Sequence, residues 1–387
     1  MKNILILLFL HFTTIFYGQN VEKTLIIKDA VTNNPIVDAT VLIMKTKQTF
    51  ITNAEGQVKF TLKGATSIQV THSAYNILNL RSLQLKNTEN TFFLKSNISE
   101  LDEIVFTKQH PQKILRNLIE NSKNKLSNPA KLKIYCREFF KMNDKYCYYN
   151  DGLINFQILG KAKTVKTNIL VEQNRAFGLL NEDITNDVLG YDLNNIMENY
   201  YKYKYLNLVL SPKAKKDYDF LIKVYSKNKD YNLMIITPTD ESNDLLDDFS
   251  VLYDNVNKLI IEVNSVISPK TFSKIEDKKA VGTRNIFNSV TKTIYRFDNN
   301  NYYLLSSREE IGFNKVEKFE TKKIEVRNYF VTNNFSNTNF SYKPEEVFKD
   351  KSLFNKKNLI LSDYWSESGL AATAEEKEII EDIVDLK

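Results

Sequence analysis

Cysteine, histidine, glycine and proline are all scarce in this 387-residue chain. Two cysteines, Cys136 and Cys147, can build neither a disulfide framework nor a thiolate metal cluster. Ten glycines and seven prolines exclude collagen-like and low-complexity architectures. Those glycines form no G-x-x-x-x-G-K-[ST] or G-x-G-x-x-G phosphate cradle and no G-x-S-x-G nucleophile elbow. Of the three histidines, His11 lies in the N-terminal leader. His72 and His110 have no second histidine at metal-ligand spacing, which removes H-E-x-x-H chemistry. EF-hand loops and paired C-x-x-C are missing too. The sequence thus assigns no catalytic, cofactor-binding or metal-ligating residue, and no cofactor.

Charge of one sign is also thin. The formal net charge of +6 comes from lysines scattered along the chain. Their densest cluster, Lys213, Lys215 and Lys216, is short and reads as a solvated face. A nucleic-acid partner would need clustering on one face, so none is expected.

Long apolar runs are confined to the start. Met1-Lys2-Asn3 is a short positive stretch, residues 4–10 are unbroken apolar, and Gly18 precedes Gln19 as a small cleavage residue. This pattern is a secretory signal over residues 1–18. No cysteine stands near the cleavage point to carry a lipid anchor. No other run approaches the roughly 18 apolar residues of a membrane span. The expected address is the periplasm or the outer-membrane periphery, with at most a peripheral membrane association.

What the chain does have is aromatics, 24 Phe and 21 Tyr, among Val, Ile and Thr. That mixture suits half-buried strands. Period-two patterns recur at Ala39, Val41, Ile43, at Val58, Phe60, Leu62 and at Ile68, Val70, His72. Turn signals separate them: Asn33-Asn34-Pro35, and Asn53-Ala54-Glu55-Gly56 as a type I turn. Residues 20–95 therefore read as a small β-sandwich.

These residues carry a resemblance. Asp29, Thr32, Pro35, Ala39 and Val41, then Thr52-Asn53 with Gly56 and Val58, resemble the carboxypeptidase-regulatory-like domain. That family writes D-x-x-T-x-x-P-L-x-x-A-x-V followed by T-D-x-x-G-x-F. Ser73-Ala74-Tyr75 is similar to its later S-x-x-G-Y strand, with Ala74 in place of Gly. The early glycine of the family is missing as well. The resemblance implies a transthyretin-like sandwich without catalytic residues, and the zinc domain of true carboxypeptidases is absent. Leu101-Asp102-Glu103-Ile104-Val105-Phe106 resembles the L-D-E-V-V-V segment after this domain in exported Bacteroidetes proteins. Tyr135, Arg137 and Glu138, followed by Tyr146, Tyr149 and Gly152, resemble a Y-R-E region of such proteins that has no assigned chemistry.

Residues 96–130 form a linker strand and a helix, with Pro111 in its first turn and Ile114, Leu115, Leu118, Ile119 and Leu126 on one face. Residues 131–363 read as an antiparallel meander of unknown function, with strands near 133–140, 146–159, 218–225, 231–237, 257–264, 288–297, 302–312 and 316–331. A short helix is expected around Leu193, Ile196, Met197 and Tyr200. The tail, 364–387, is helical over 371–385, with Thr373 and Glu376 at capping-box spacing. The fold class is mainly β: a small N-terminal β-sandwich plus a larger antiparallel β-meander domain with a few helices.

Three finer expectations concern side chains. A two-residue turn at Asn143-Asp144 sets Cys136 opposite Asp151 and keeps both thiols free. Asp240, Glu241, Asp244, Asp247 and Asp248 form a solvated acidic loop. Alternation sends Arg137 and Glu138 to opposite faces. The function expected is a non-catalytic binding or scaffold protein whose partner is an envelope protein. The alternatives are a carrier of lipid or another apolar ligand in a curled sheet, and an enzyme with an unrecognised carboxylate site.

Overall fold

The computed structural model describes residues 21–96, 103–160, 164–178, 193–242, 244–338, 342–353, 356–361 and 369–385. The leader, with Leu101 and Asp102, lies outside them. Seven strands form the first unit: β1 (Val21–Asp29), β2 (Thr40–Ile43), β3 (Thr49–Ile51), β4 (Gln57–Leu62), β5 (Ser67–His72), β6 (Tyr75–Arg81) and β7 (Glu89–Leu94). They make two sheets, ordered β4-β1-β7 and β3-β2-β5-β6. Alternation drives this packing. β1 buries Leu25 and Ile27 while Thr24, Ile26 and Lys28 lie outside the core. Val41, Phe50, Phe60, Ile68 and Val70 close the core between the sheets.

The residues behind the resemblance hold turns. Asp29 Oδ1 accepts the Val31 and Thr32 amides at 2.8 and 2.7 Å, and Oδ2 accepts the Tyr75 hydroxyl at 2.9 Å. These bonds hold its carboxyl down at about 2. The Asn53–Gly56 turn closes with Gly56 N–H donating to Asn53 O at 2.9 Å. Gly56 has φ +70°, and a Cβ there would stand 2.5 Å from Ile27 O. Only glycine fits without strain.

Beyond the sandwich, Glu103–Val105 pairs with the edge of the second unit. Helix α1 (Pro111–Lys125) follows, capped by His110, whose Nδ1 accepts the Gln112 amide at 3.1 Å. It buries Leu115, Leu118 and Ile119, about 1.5–3 kcal/mol for each side chain.

One large sheet organises the rest. Its strands are β8 (Ala130–Met142), β9 (Lys145–Leu159), β10 (Lys166–Gly178), β11 (Tyr218–Val224), β12 (Tyr231–Pro238), β13 (Asp247–Asp254), β14 (Leu259–Ile267), β15 (Arg284–Asp298), β16 (Asn301–Val316) and β17 (Thr321–Ser336). Their order is β10-β9-β8-β17-β16-β15-β14-β13-β12-β11, antiparallel throughout. Two meanders are thus joined by the β8–β17 pairing. Helices α2 (Leu193–Lys202), α3 (Asn207–Leu210) and α4 (Ala214–Asp217) link them. Helix α5 (Pro269–Phe272) follows β14, and α6 (Ala374–Asp385) ends the described chain.

The sheet has two different faces. One carries Ile134, Cys136, Ile154, Phe156 and Phe330, packed under α1 and α2 through Leu118, Ile196, Met197 and Tyr201. Side chains fill this side. A void of about 20 Å³ beside Cys136, Glu138 and Leu353 has room for one water. The other face carries Tyr135, Leu153, Leu305 and Val331, packed on Ile51 of the sandwich and Leu370 of the tail. Further along it, Ile379 and Ile383 of α6 cover Phe139 and Tyr149.

The structure corrects two expectations. Cys136 faces Gly152, while Asp151 faces Arg137. The Asn143-Asp144 turn has two residues with φ of 50° and 65°, as the spacing requires, but a bulge at Cys147 moves the register by one. Both thiols are free. The acidic cluster is also split. Asp247 and Asp248 open β13, and burial raises Asp247 to about 6. Asp240 and Asp244 stay near the surface beside Lys270 and Lys213.

Candidate functional site: a cleft between the sandwich and the sheet

The cleft is built from residues far apart in sequence. Asp38 sits before β2 with φ +61°, its amide tied to Thr52 O at 3.0 Å. That local geometry aims its carboxylate at the sheet. Lys292 of β15 answers it, with Nζ 2.8 Å from Asp38 Oδ2 and 3.6 Å from Glu262 Oε1 on neighbouring β14. Burial pulls the Lys292 ammonium down, but Asp38 and Glu262 outweigh it and hold the charge. His72 of β5 stands beside this group. Burial, then the Lys292 charge, lowers its pKa, and its Nδ1 accepts the Ala74 amide at 3.1 Å. Neutral imidazole at neutral pH follows.

The Asp38–Lys292 bridge stands between two lobes. The first, about 220 Å³, has an apolar floor of Ile51, Ile294, Val331 and Leu370. Its rim carries Arg308, Glu310 and Arg327. Arg308 Nε donates to Glu310 Oε1 at 2.9 Å, and Arg327 Nε lies 3.7 Å from the same carboxylate. Two guanidinia thus converge on one carboxylate, with the Arg308 guanidinium 5.6 Å over the Tyr329 ring. The second lobe, about 380 Å³, is more polar and is lined by His72, Tyr75, Tyr231, Arg296, Phe297 and Glu262. Ordinary small-molecule sites span roughly 300–1,000 Å³.

A buried polar network forms the wall below the first lobe. Asp151, fully buried, accepts the Tyr135 and Tyr149 hydroxyls and Arg175 Nε, the last at 2.9 Å. Arg137 Nε donates to Tyr135 Oη at 2.9 Å, Nη1 to Glu376 Oε2 at 2.9 Å, and Nη2 to Leu370 O at 2.8 Å. Glu376 also receives the Thr373 amide at 3.1 Å and returns its own amide to Thr373 Oγ1 at 3.1 Å. The capping box and the Arg137 pair therefore share one carboxylate. Glu55 of the sandwich accepts the Ala374 amide at 2.8 Å, and Ile51 pairs with Leu370 as parallel strands. The tail thus stitches the two units together.

Tyr135, Arg137 and Tyr149 of the Y-R-E segment lie in this network. Cys136 and Glu138 point to the helical side, as alternation requires. Gly152 leaves room for Leu353, whose Cδ1 would stand 2.6 Å from a Cβ there. No sequence pattern had singled out Asp38, Lys292, Glu262, Arg308 or Arg327. Strand register gathers Glu262, Lys292, Arg308 and Arg327 on neighbouring strands, and the docking of the sandwich adds Asp38. The cluster between Asp240 and Asp248 lines neither lobe.

No family model matches this chain, and no curated protein does. Among solved structures, it is similar to lipovitellin in a study of lipid–protein interactions, at 10% identity and TM-score 0.23, over 56% of this chain and 26% of that one. It spans about a quarter of the lipovitellin chain. A LolA superfamily protein from Nitrosomonas europaea matches at 10% identity and TM-score 0.22, over 57% of this chain and 93% of that one. MucB in complex with MucA(peri) matches at 7% identity and TM-score 0.19, with the same coverages of 57% and 93%. At such scores the likeness identifies no shared site. No helix among the described residues is long and apolar enough to cross a membrane.

Proposed function

We propose that this chain is an exported, non-catalytic binding protein that carries one ligand with an apolar body and a polar head. The observation that supports this reading is the first lobe. Its floor of Ile51, Ile294, Val331 and Leu370 suits a hydrocarbon body. Its rim carries charges of both signs, Arg308 and Arg327 with Glu310, Glu375 and Glu376, and suits a polar head. The carrier site is thus on the sandwich side of the sheet, opposite the face that the helices fill. The docked sandwich and tail wall it in.

Native mass spectrometry of mature protein, purified gently from the envelope of its own host, tests this. A bound amphiphile is expected, and it is lost from an Ile294→Trp variant whose indole fills the floor. A bare wild-type protein, or one carrying another polypeptide, would sink the carrier reading in favour of a scaffold.

A further inference from the structure

The helical side of the sheet carries one polar row across its apolar surface. Asn150, Glu138, Asn328 and Glu309 are register partners on β9, β8, β17 and β16 in succession. Glu138 and Asn328 are buried at 8% and 1% exposure. Asn150 Nδ2 donates to Glu138 Oε1 at 2.9 Å. Across the other flank, Asn328 Oδ1 is a buried acceptor with no donor among the described residues. A buried carbonyl oxygen without a donor is costly, and the nearest side chain in register is a carboxyl group.

We infer that Glu138 keeps its proton and donates it to Asn328 Oδ1, forming a latch that secures the cover over this part of the sheet only while the proton is present. The cover is Leu193, at the start of α2, with Ser352 and Leu353; all three border the void beside Glu138. Leu193 N–H also donates to Lys351 O at 2.8 Å, which ties the two segments together.

The surroundings agree. Next to Glu138 on this side stand the titratable groups Cys136 and Tyr148, with Glu309 one strand beyond Asn328 and the tyrosines of α2 above it. Glu309 is itself held up by burial and accepts the Tyr200 hydroxyl of α2 at 3.1 Å. Leu193, Ser352 and Leu353 bring no charge. Arg137 and Asp151 lie on the opposite face, engaged with Glu376 and Arg175. Burial therefore raises Glu138 to about 7, from a usual 4.5, with only Asn150 resisting. The sign is fixed by linkage. The closed cover binds the proton more tightly than the open one, so opening is hardest below about pH 4.5. It becomes easier up to about pH 7 and levels off above. This device acts on the helical side and does not depend on the cleft ligand.

Hydrogen exchange of the full chain, corrected for intrinsic pH effects, tests the latch. In wild type the opening constant read at the Leu193 amide, which is bonded to Lys351 O, is expected to rise on the order of 100-fold between pH 4.5 and 7. Glu138→Gln keeps a donor for Asn328 but cannot titrate, so its opening should rise much less with pH than in wild type, keeping only the share that Glu309 contributes. Equal pH slopes in the two proteins would overturn the inference. So would a wild-type Glu138 carboxyl ¹³C resonance that titrates near 4.5, a measurement that does not need the variant to fold.

Discussion

Single residues carry unequal weight in this chain, and Glu376 joins two roles in one carboxylate. It caps α6 and neutralises Arg137, with both side chains at 4% exposure. Removing one partner of such a pair leaves an uncompensated buried charge, at a cost of about 3–5 kcal/mol. Glu376→Ala should lower the stability from denaturant unfolding by that amount. Replacing Arg137 and Glu376 together by Met and Leu should restore most of it. A single variant as stable as wild type would remove the tail from the list of structural necessities. The capping half of this role was legible in sequence, from the spacing of Thr373 and Glu376. The pairing with Arg137 was not, because nothing local announces a partner from the far end of the chain. Alternation did separate Arg137 from Glu138, and that holds.

Elements were legible where one face is apolar. β12 alternates strictly in burial, and α1 shows a helical stripe. β10 and β13 escaped. β10 is an edge strand rich in Asn, Gln, Glu and Arg, so it lacks a period-two signal. β13 opens with Asp247-Asp248, which reads as a loop until Phe249, Val251 and Tyr253 are seen packed. The turn that crosses from β3 to β4 was plain, because Asn and Gly stand where a type I turn needs them. There the φ of +70° and the Ile27 carbonyl leave no room for a side chain. Gly56→Ala should cost about 1–3 kcal/mol. Thermal melts of the full chain check this. An unchanged melting temperature would mean the turn relaxes freely.

At the scale of the molecule, the two units are held by few polar ties. Lys292 is the one that joins Asp38 of the sandwich to Glu262 of the sheet. Lys292→Met should leave two carboxylates facing each other without a cation. Amides around Asp38 and Thr40 are expected to exchange faster in that variant, with α1 unchanged. Uniform protection across both would show that the Ile51, Leu305 and Leu370 contact suffices alone. The fold class was legible from composition and spacing. The cleft was not, since it exists only once the two units meet. The order of the sheet was hidden for a related reason: β17 pairs with β8 across the whole intervening sequence. This pairing sets a schedule for folding. β8, β9 and β10 emerge first as a three-stranded piece whose β8 edge stays open until β17 arrives. High contact order of this kind slows folding and leaves sticky backbone exposed. Any delay between the synthesis of β8 and that of β17 lengthens the time this edge stands open, so β8 is where wrong pairing with another chain would begin.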